Sequence, residues 1–203
     1  MTAAPKVFIV DDDHDIRLAL QRLFAAAGLT VELFASAEQY LATGCTSAPG
    51  CLLLDVRMPG MGGMQLLEVL KNSDEHHPVI LLTAHGDIPM VLRALKAGVL
   101  DFIEKPPNHQ VLLDAVYKAF AFDREMRAKA VAKRQFLTAL ATLTPREREV
   151  LGRIVDGVPN KVIASELGIS ARTLEKHREH IIQKMHVRSL AELIHGMVQH
   201  GQH

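Results

Sequence analysis

Five short apolar runs, separated by longer segments of helical period, constrain the first half of the chain more than any other feature. The runs cover residues 7–10, 31–34, 52–54, 79–82 and 102–103. The intervening helical segments cover 16–27, 37–43, 64–71 and 89–97, and another begins at His109. Strands that alternate with helices form a parallel sheet with both faces covered. The pattern therefore predicts an α/β domain with a five-stranded, doubly wound parallel sheet.

The second half of the chain has helical periodicity only. Thr144 begins a capping box with Pro145 at the first helical position and Glu147 three residues on. A short helix over 160–167, a turn at Gly168 and a longer helix begun by Ser170 have the layout of a helix-turn-helix. With a last helix over 190–198, this part is predicted to be a small all-α domain of four helices.

The stretch between these two parts is polar. Arginine and lysine alternate with alanine and glutamate there, and the helical pattern lacks a strong apolar stripe. We interpret it as a solvated helical linker. The predicted division is therefore a first domain over residues 1–121, a linker over 122–140 and a second domain over 141–203.

Charge is divided between the halves, although the whole chain carries equal numbers of acidic and basic residues. Residues 1–121 have a net charge of −5, and residues 122–203 have a net charge of +5. Such a division indicates different partners for the two parts, with nucleic acid as the candidate for the basic one.

Composition excludes several classes of protein. The apolar fraction of 48% and charged fraction of 23% are those of a folded chain, not a disordered one. Two cysteines cannot form a disulfide framework. No apolar stretch approaches the ~20 residues that span a bilayer. We expect a cytoplasmic protein that does not bind membranes.

Polar residues follow four of the predicted strands. Asp11 and Asp12 come after the first strand, Asp55 after the third, Thr83 after the fourth and Lys105 after the fifth. Because the carboxyl ends of parallel strands share one edge of the sheet, these side chains should lie together. Neighbouring carboxylates repel one another unless a hard cation such as Mg²⁺ binds them. Carboxylates, a hydroxyl and a lysine around such an ion are suited to phosphoryl transfer.

The motifs at these positions resemble the receiver domain of bacterial two-component response regulators, across roughly residues 5–121. They are Val10-Asp11-Asp12-Asp13, Leu54-Asp55-Val56-Arg57-Met58-Pro59-Gly60, Leu82-Thr83-Ala84 and Glu104-Lys105-Pro106. The resemblance implies a flavodoxin-like fold and a phosphoryl group accepted by Asp55 from a sensor histidine kinase. It also implies at most slow self-dephosphorylation, so the chain would not be an enzyme.

The same resemblance assigns roles to the other residues. Asp11, Asp12, Asp55 and the Arg57 backbone carbonyl would hold Mg²⁺. Thr83 and Lys105 would bind the phosphoryl oxygens, and the Lys105-Pro106 peptide would be cis. Thr83 would also act with Phe102 as a switch. Ordinary core packing of Phe102 remains the alternative.

The longer helix of the second domain has an outward face suited to a DNA major groove. Arg172, Lys176, Glu179 and Gln183 point away from the apolar positions, with Glu175 on the flank. Lysine and arginine can read guanine, and glutamate can accept a hydrogen bond from cytosine. A solvated helix face is the alternative interpretation.

The second domain resembles the LuxR-type DNA-binding domain, and the whole chain resembles FixJ-type response regulators. The motifs are Thr144-Pro145-Arg146-Glu147-Arg148-Glu149-Val150-Leu151, Asn160-Lys161-Val162-Ile163-Ala164 and Thr173-Leu174-Glu175-Lys176-His177-Arg178. The resemblance implies base contacts from Glu175, Lys176 and Glu179. It implies phosphate contacts from Lys161, Arg172, Thr173 and Lys184. Dimerisation would use Leu190, Leu193, Ile194 and Met197 of the last helix, on paired DNA half-sites.

Two alternatives come from other classes. Phosphohydrolases with an aspartate nucleophile also form aspartyl phosphates on α/β sheets, but they expect a second aspartate where this chain has Arg57. A regulator that senses a lipid-like ligand would share the DNA-binding domain. The acidic edge and the aromatic fraction of only 4% disfavour that alternative.

Overall fold

The computed structural model describes residues 3–44, 48–72, 77–84 and 88–199, with the side chains of residues 88–91 and 199 left aside. The chain divides into two compact units, Met1–Arg127 and Ala128–His203. None of the described helices is both long and apolar enough to cross a membrane.

The first unit contains a five-stranded parallel sheet in the order β2-β1-β3-β4-β5. The strands are β1 (Lys6–Val10), β2 (Thr30–Phe34), β3 (Gly50–Asp55), β4 (Val79–Thr83) and β5 (Asp101–Glu104). The helices are α1 (His14–Ala26), α2 (Ala37–Ala42), α3 (Gly63–Lys71), α4 (Ile88–Lys96) and α5 (His109–Ala141). The predicted α/β architecture is confirmed, and each predicted strand is present with one or both ends shifted by one or two residues.

Alternate residues of the central strands face opposite sides of the sheet, and each side has its own apolar core. On one side, Phe8 and Leu54 pack with Tyr40 of α2 and Leu66 of α3. On the other side, Ile9 packs with α1 and α5. Because both faces are covered, β3 is buried along its whole length.

The second unit contains α6 (Pro145–Val155), α7 (Asn160–Glu166), α8 (Ala171–Met185) and α9 (Leu190–Gln199). The predicted capping box begins α6: Thr144 Oγ1 accepts from the Glu147 amide at 3.2 Å, and Glu147 Oε2 accepts from the Thr144 amide at 2.8 Å. Ser170 caps α8 by accepting from the Thr173 amide at 3.0 Å. The helix-turn-helix layout is therefore confirmed.

The linker is helical, as predicted, since α5 runs without a break from His109 to Ala141. The prediction that the linker is solvated along its whole length is wrong for the first turns of the linker. Asp123 is buried, and its Oδ2 accepts from the amide of Gly50, the first residue of β3, at 3.0 Å. Arg127 donates to Asp123 and, through Nη2, to the Ala48 carbonyl at 2.6 Å. These bonds fasten two turns of the linker to the first unit.

The end of α5 is also packed rather than solvated. Phe136, Ala139 and Leu140 contact the core of the second unit. A Cβ atom at Gly196 of α9 would lie 2.7 Å from the ring of Phe136, so only glycine admits this close approach. The last turns of the linker helix are therefore structural parts of the second unit.

Candidate functional site

The predicted polar residues do meet at one edge of the sheet, which we call the acidic edge: Asp11, Asp12, Asp55, Thr83 and Lys105. Asp11 follows β1, Asp55 ends β3, Thr83 ends β4 and Lys105 follows β5. The Lys105 amide donates to the Thr83 carbonyl at 2.8 Å, which extends the β4–β5 pairing to the edge. Parallel strand order therefore brings residues up to 94 positions apart into contact.

Lys105 lies between two buried carboxylates. Its Nζ is 2.7 Å from Asp11 Oδ2 and 2.7 Å from Asp55 Oδ1. Asp11 is fully buried and Asp55 is 6% exposed, whereas Asp12 is exposed. The ammonium group thus partly neutralises the two buried acids.

Burial and neighbouring charges shift the pKa values of Asp55 and Lys105. Burial raises the pKa of Asp55 above its usual value, and the charges of Asp11 and Asp12 add to the shift while Lys105 opposes it. For Lys105, burial opposes the charged form, but the hydrogen bonds to Asp11 and Asp55 prevail and raise its pKa. The lysine therefore stays charged.

Three carboxylates at the acidic edge form a donor set for a metal ion. Oxygen atoms of Asp11, Asp12 and Asp55 all lie within 4.8 Å of one another. Hard divalent cations prefer oxygen ligands at this kind of spacing. The donor set fits the predicted magnesium ion, with two buried ligands and one that faces solvent.

The loops around the acidic edge are fixed by bonds that sequence reasoning missed. Arg17 Nη1 donates to the Asp11 carbonyl at 2.6 Å, and Asp11 Oδ1 accepts from the Asp13 amide at 2.9 Å. Gly63 packs so closely behind β3 that a Cβ atom there would lie 2.2 Å from the Asp55 carbonyl oxygen. The glycine directly before the predicted helix over 64–71 was the available signal for this close approach.

Two other predicted residues lie beside the acidic edge. Arg57, two residues after Asp55, has an exposed side chain in the loop before α3. Phe102 of β5 is 43% exposed, while Thr83 is buried. Core packing of Phe102 is therefore wrong for this structure. The Lys105-Pro106 peptide is cis, as predicted.

On α8, the predicted outward face is exposed, and the apolar residues on the opposite side of the helix are buried. Leu174, Ile181 and Met185 pack into the core of the second unit. The exposed candidates for DNA contacts are Arg172, Thr173, Glu175, Lys176 and Glu179 of α8, together with Lys161 of α7. Arg178 is half-buried, and its Nη1 lies 3.3 Å from Glu175 Oε2.

Lys184 has a partner within the second unit. Its Nζ donates to Glu147 Oε2 at 2.6 Å, and this bond fastens α8 to the start of α6. The phosphate contact of Lys184 stays a prediction. Burial disfavours the Glu147 carboxylate, but bonds from Lys184 and Thr144 hold its pKa below the usual value. The sequence indicated Glu147 as a cap but gave no signal for its second partner.

The predicted dimerisation face of α9 is partly enclosed by its own unit, and its role in a dimer stays a prediction. Leu193 is fully buried and Met197 is 8% exposed, and both pack inside the core of the same unit. Leu190 and Ile194 are half-buried. An apolar stripe shows that a helix is covered, but not whether a second copy or the same chain covers it. In this structure the same chain covers Leu193 and Met197.

Comparison with known proteins agrees with this architecture. Residues 7–117 match the family model for the response regulator receiver domain, and residues 141–197 match that for bacterial regulatory proteins of the LuxR family. The chain is similar to nodulation protein W of Bradyrhizobium diazoefficiens, with 42% identity over 93% of this chain and 83% of that protein.

Two further likenesses cover nearly the full length. The transcriptional regulatory protein FixJ of Bradyrhizobium diazoefficiens is 37% identical over 99% of this chain and 98% of its own. The solved structure of the response regulator StyR is similar with a TM-score of 0.84 and 43% identity, over 97% of this chain and all of that one. These matches support the regulator over the phosphohydrolase and ligand-sensing alternatives. The chain belongs to the FixJ-type response regulators, which join a receiver domain to a LuxR-type DNA-binding domain.

Proposed function

We propose that this chain regulates transcription in a two-component system, with Asp55 as the residue that accepts the phosphoryl group from a sensor histidine kinase. The observation that carries the proposal is the position of Asp55. Its carboxylate ends a buried strand, 2.7 Å from the Lys105 ammonium and within reach of two further carboxylates. An oxygen of Asp55 forms the bond to phosphorus while the bond from phosphorus to the kinase histidine nitrogen breaks.

The neighbouring side chains have complementary roles in this transfer. Lys105 exchanges its bond with Asp55 for one with a phosphoryl oxygen, and the Thr83 hydroxyl donates to another. Asp11, Asp12, Asp55 and the Arg57 carbonyl would hold Mg²⁺, which supplies positive charge that offsets the charge on the phosphoryl oxygens. The chain itself hydrolyses the aspartyl phosphate slowly at most.

The response to phosphorylation uses Thr83 and Phe102. The Thr83 hydroxyl moves toward the phosphoryl group, and the exposed Phe102 ring turns into the space that this movement opens. The outward position of Phe102 is consistent with the unphosphorylated state in this scheme. The face formed by α4, β5 and α5 changes shape as a result.

The DNA-binding proposal uses the exposed face of α8. Glu175, Lys176 and Glu179 contact base edges, and Lys161, Arg172, Thr173 and Lys184 contact phosphates. All of these side chains except the half-buried Lys184 are exposed, which supports these roles. Two copies bind paired half-sites about one DNA turn apart. Contact between copies uses the α9 face of Leu190, Leu193, Ile194 and Met197, of which Leu190 and Ile194 are half-buried and partly accessible.

The proposed functional division keeps the receiver at residues 1–121, the linker at 122–140 and the DNA-binding domain at 141–203. Asp123 and Arg127 support the receiver from within the linker.

The test of the proposed function is the intact mass after incubation with acetyl phosphate and MgCl₂, beside the matched variant Asp55→Asn. We expect one added phosphoryl group on the unsubstituted chain and none on the variant. Phosphorylated protein should then bind its DNA more tightly or form a dimer by sedimentation. A folded chain that takes up neither a phosphoryl group nor beryllofluoride would contradict the receiver chemistry.

A further inference from the structure

Arg178 of α8 lies at the border between the buried side of the helix and its exposed face. It follows Leu174 by four residues and Glu175 by three, so it lies one helical turn after both. Leu174 is buried in the core of the second unit, whereas the Glu175 side chain is 57% exposed. The Arg178 side chain is 24% exposed. Its guanidinium group therefore reaches the edge of the face that carries the proposed DNA contacts.

The guanidinium group of Arg178 is held by little else. Its Nη1 lies 3.3 Å from Glu175 Oε2, and its Nε is buried without an acceptor among the described residues. In the described part of the chain, this Nε is the only buried side-chain nitrogen or oxygen that lacks a hydrogen-bond partner. A buried donor without an acceptor costs free energy and is uncommon in folded proteins. Stability of the fold therefore does not account for this arginine.

Lys184, the other half-buried cation of α8, has a structural partner by contrast. It donates to the buried Glu147 carboxylate at 2.6 Å and so joins α8 to α6. Arg178 satisfies no buried acceptor, and its polar partner among the described residues is the exposed Glu175. Arg178 is therefore placed to act on Glu175 and not to join two helices.

Glu175 needs a nearby cation if it is to lie against DNA. The phosphates of DNA repel a carboxylate, and a cation within the same helical turn offsets that charge. Among the described residues of α8, the ion pairs include Glu175 with Arg178 but none with Glu179. An ion pair also limits the directions in which an exposed glutamate points, so less freedom is lost on binding. Of these two exposed glutamates, Glu175 is therefore the one prepared to accept a hydrogen bond from a base.

We propose that Arg178 is a positioning residue for base recognition: its guanidinium group holds the Glu175 carboxylate in the direction that accepts a hydrogen bond from a base amino group. Such an amino group is presented in the major groove by cytosine and by adenine. The inference rests on the proposed base contact of Glu175 and adds the residue that makes this contact selective. Since Arg178 itself contacts no base, its removal relaxes the base preference only at the position that Glu175 reads.

The test measures base preferences on a pool of DNA duplexes with a randomised central segment. The full chain and its variants bind the pool, with and without acetyl phosphate and MgCl₂, and the bound duplexes are sequenced. We expect Glu175→Ala and Arg178→Met to reduce discrimination at the same base position, by about fivefold or more for Glu175→Ala. The double variant should lose no more there than Glu175→Ala alone. Arg178→Lys keeps a cation beside Glu175 and should restore part of the preference.

Arg153→Met is the matched control. Arg153 lies 3.6 Å from Glu166, and both side chains of this ion pair are exposed. The control removes the same charge and also breaks an arginine–glutamate pair of the second unit, but that pair involves no residue of α8. We expect it to leave the preference at every position unchanged.

Several outcomes would overturn the proposal. Weaker binding of Arg178→Met to every duplex, with unchanged preferences, would make Arg178 a phosphate contact. A preference lost at a position different from that of Glu175→Ala would mean that Arg178 reads a base itself. Circular dichroism checks the fold, and Arg178→Gln provides the same comparison if the methionine variant is misfolded.

The same data separate this inference from the proposed function. If Glu175→Ala relaxes a preference and Arg178→Met relaxes none, the positioning role alone fails. If the chain selects a sequence and Glu175→Ala changes no preference, the positioning role fails together with the base contact of Glu175, while DNA binding stands. If the unsubstituted chain selects no sequence, the proposed function fails as well.

Discussion

The acidic edge of the first unit collects side chains from four strand ends, whereas the proposed DNA-binding surface of the second unit comes mostly from one helix. Asp11 and Asp55 are buried and share the Lys105 ammonium. The candidates on α8 are exposed, with Lys176 representative of them. The acidic edge therefore depends on the whole sheet, while the recognition face depends on a helix and its cap.

This difference predicts different responses to substitution. Removing Lys105 from the acidic edge leaves two buried carboxylates without a counter-charge, so fold and chemistry change together. Removing an exposed residue of α8 changes DNA binding and leaves stability nearly intact. Four substitutions test this contrast, from the largest expected change in free energy to the smallest.

Lys105→Met should destabilise the first unit by about 3 kcal/mol, because Asp11 and Asp55 lose the cation between them. Urea unfolding with and without MgCl₂ measures the effect, and the ion should restore more stability to the variant than to the unsubstituted chain. Lys118→Met removes an exposed lysine of the same unit as the control. Equal stabilities of the two variants without MgCl₂ would contradict the assigned role of Lys105.

Gly63→Ala should cost about 2 kcal/mol, since its Cβ atom would overlap the Asp55 carbonyl oxygen. Moving that carbonyl also displaces the acceptor carboxylate, so phosphorylation by acetyl phosphate should slow. Gly62→Ala is the matched control, because a Cβ atom there lies at an ordinary 3.5 Å from the Val56 carbonyl. Thermal melting and intact mass measure both effects; two variants with the same behaviour would show that the close approach is unimportant.

Glu147→Gln should destabilise the second unit by about 1 kcal/mol at neutral pH. Its folded-state pKa is depressed, so the stabilisation is present above the ordinary glutamate pKa and is lost as the pH falls through the folded value. The difference between variant and unsubstituted chain should therefore shrink in acid. NMR signals from α6 and α8 during urea unfolding report this unit alone. A difference independent of pH would refute the ionic role.

Lys176→Ala should leave unfolding within about 0.5 kcal/mol of the unsubstituted chain, because the side chain is exposed. Specific DNA binding should weaken by about 1–2 kcal/mol if Lys176 reads a base. Fluorescence anisotropy on operator and random duplexes separates the two kinds of contact. An equal loss on both duplexes would make Lys176 a phosphate contact.

Sequence alone predicted the acidic edge because its geometry follows from local rules. The positions of Asp11, Asp55, Thr83 and Lys105 depend only on where each strand ends and on the strands being parallel. The recognition face was predictable for a similar reason, since helical period separates Leu174 from Lys176 without any knowledge of distant residues.

Partners far apart in the chain were not predictable in the same way. Asp123 looks like any solvated acid in a polar helix, because its partner Gly50 is 73 residues away. The bond of Lys184 to Glu147 was hidden in the same way, because Glu147 lies 37 residues earlier. Leu193 is a further case. Its hydrophobic side chain must be buried, but the sequence does not show which surface buries it.

The bond between Asp123 and the Gly50 amide makes that amide a natural probe of the linker. Amides further along β3 exchange with solvent hydrogen only when the sheet opens, since they bond to neighbouring strands. The Gly50 amide is released when α5 separates from β3 at Asp123, even while the sheet stays closed. Its deuterium uptake therefore reports helix detachment separately from strand opening, at the opposite end of the strand from Asp55.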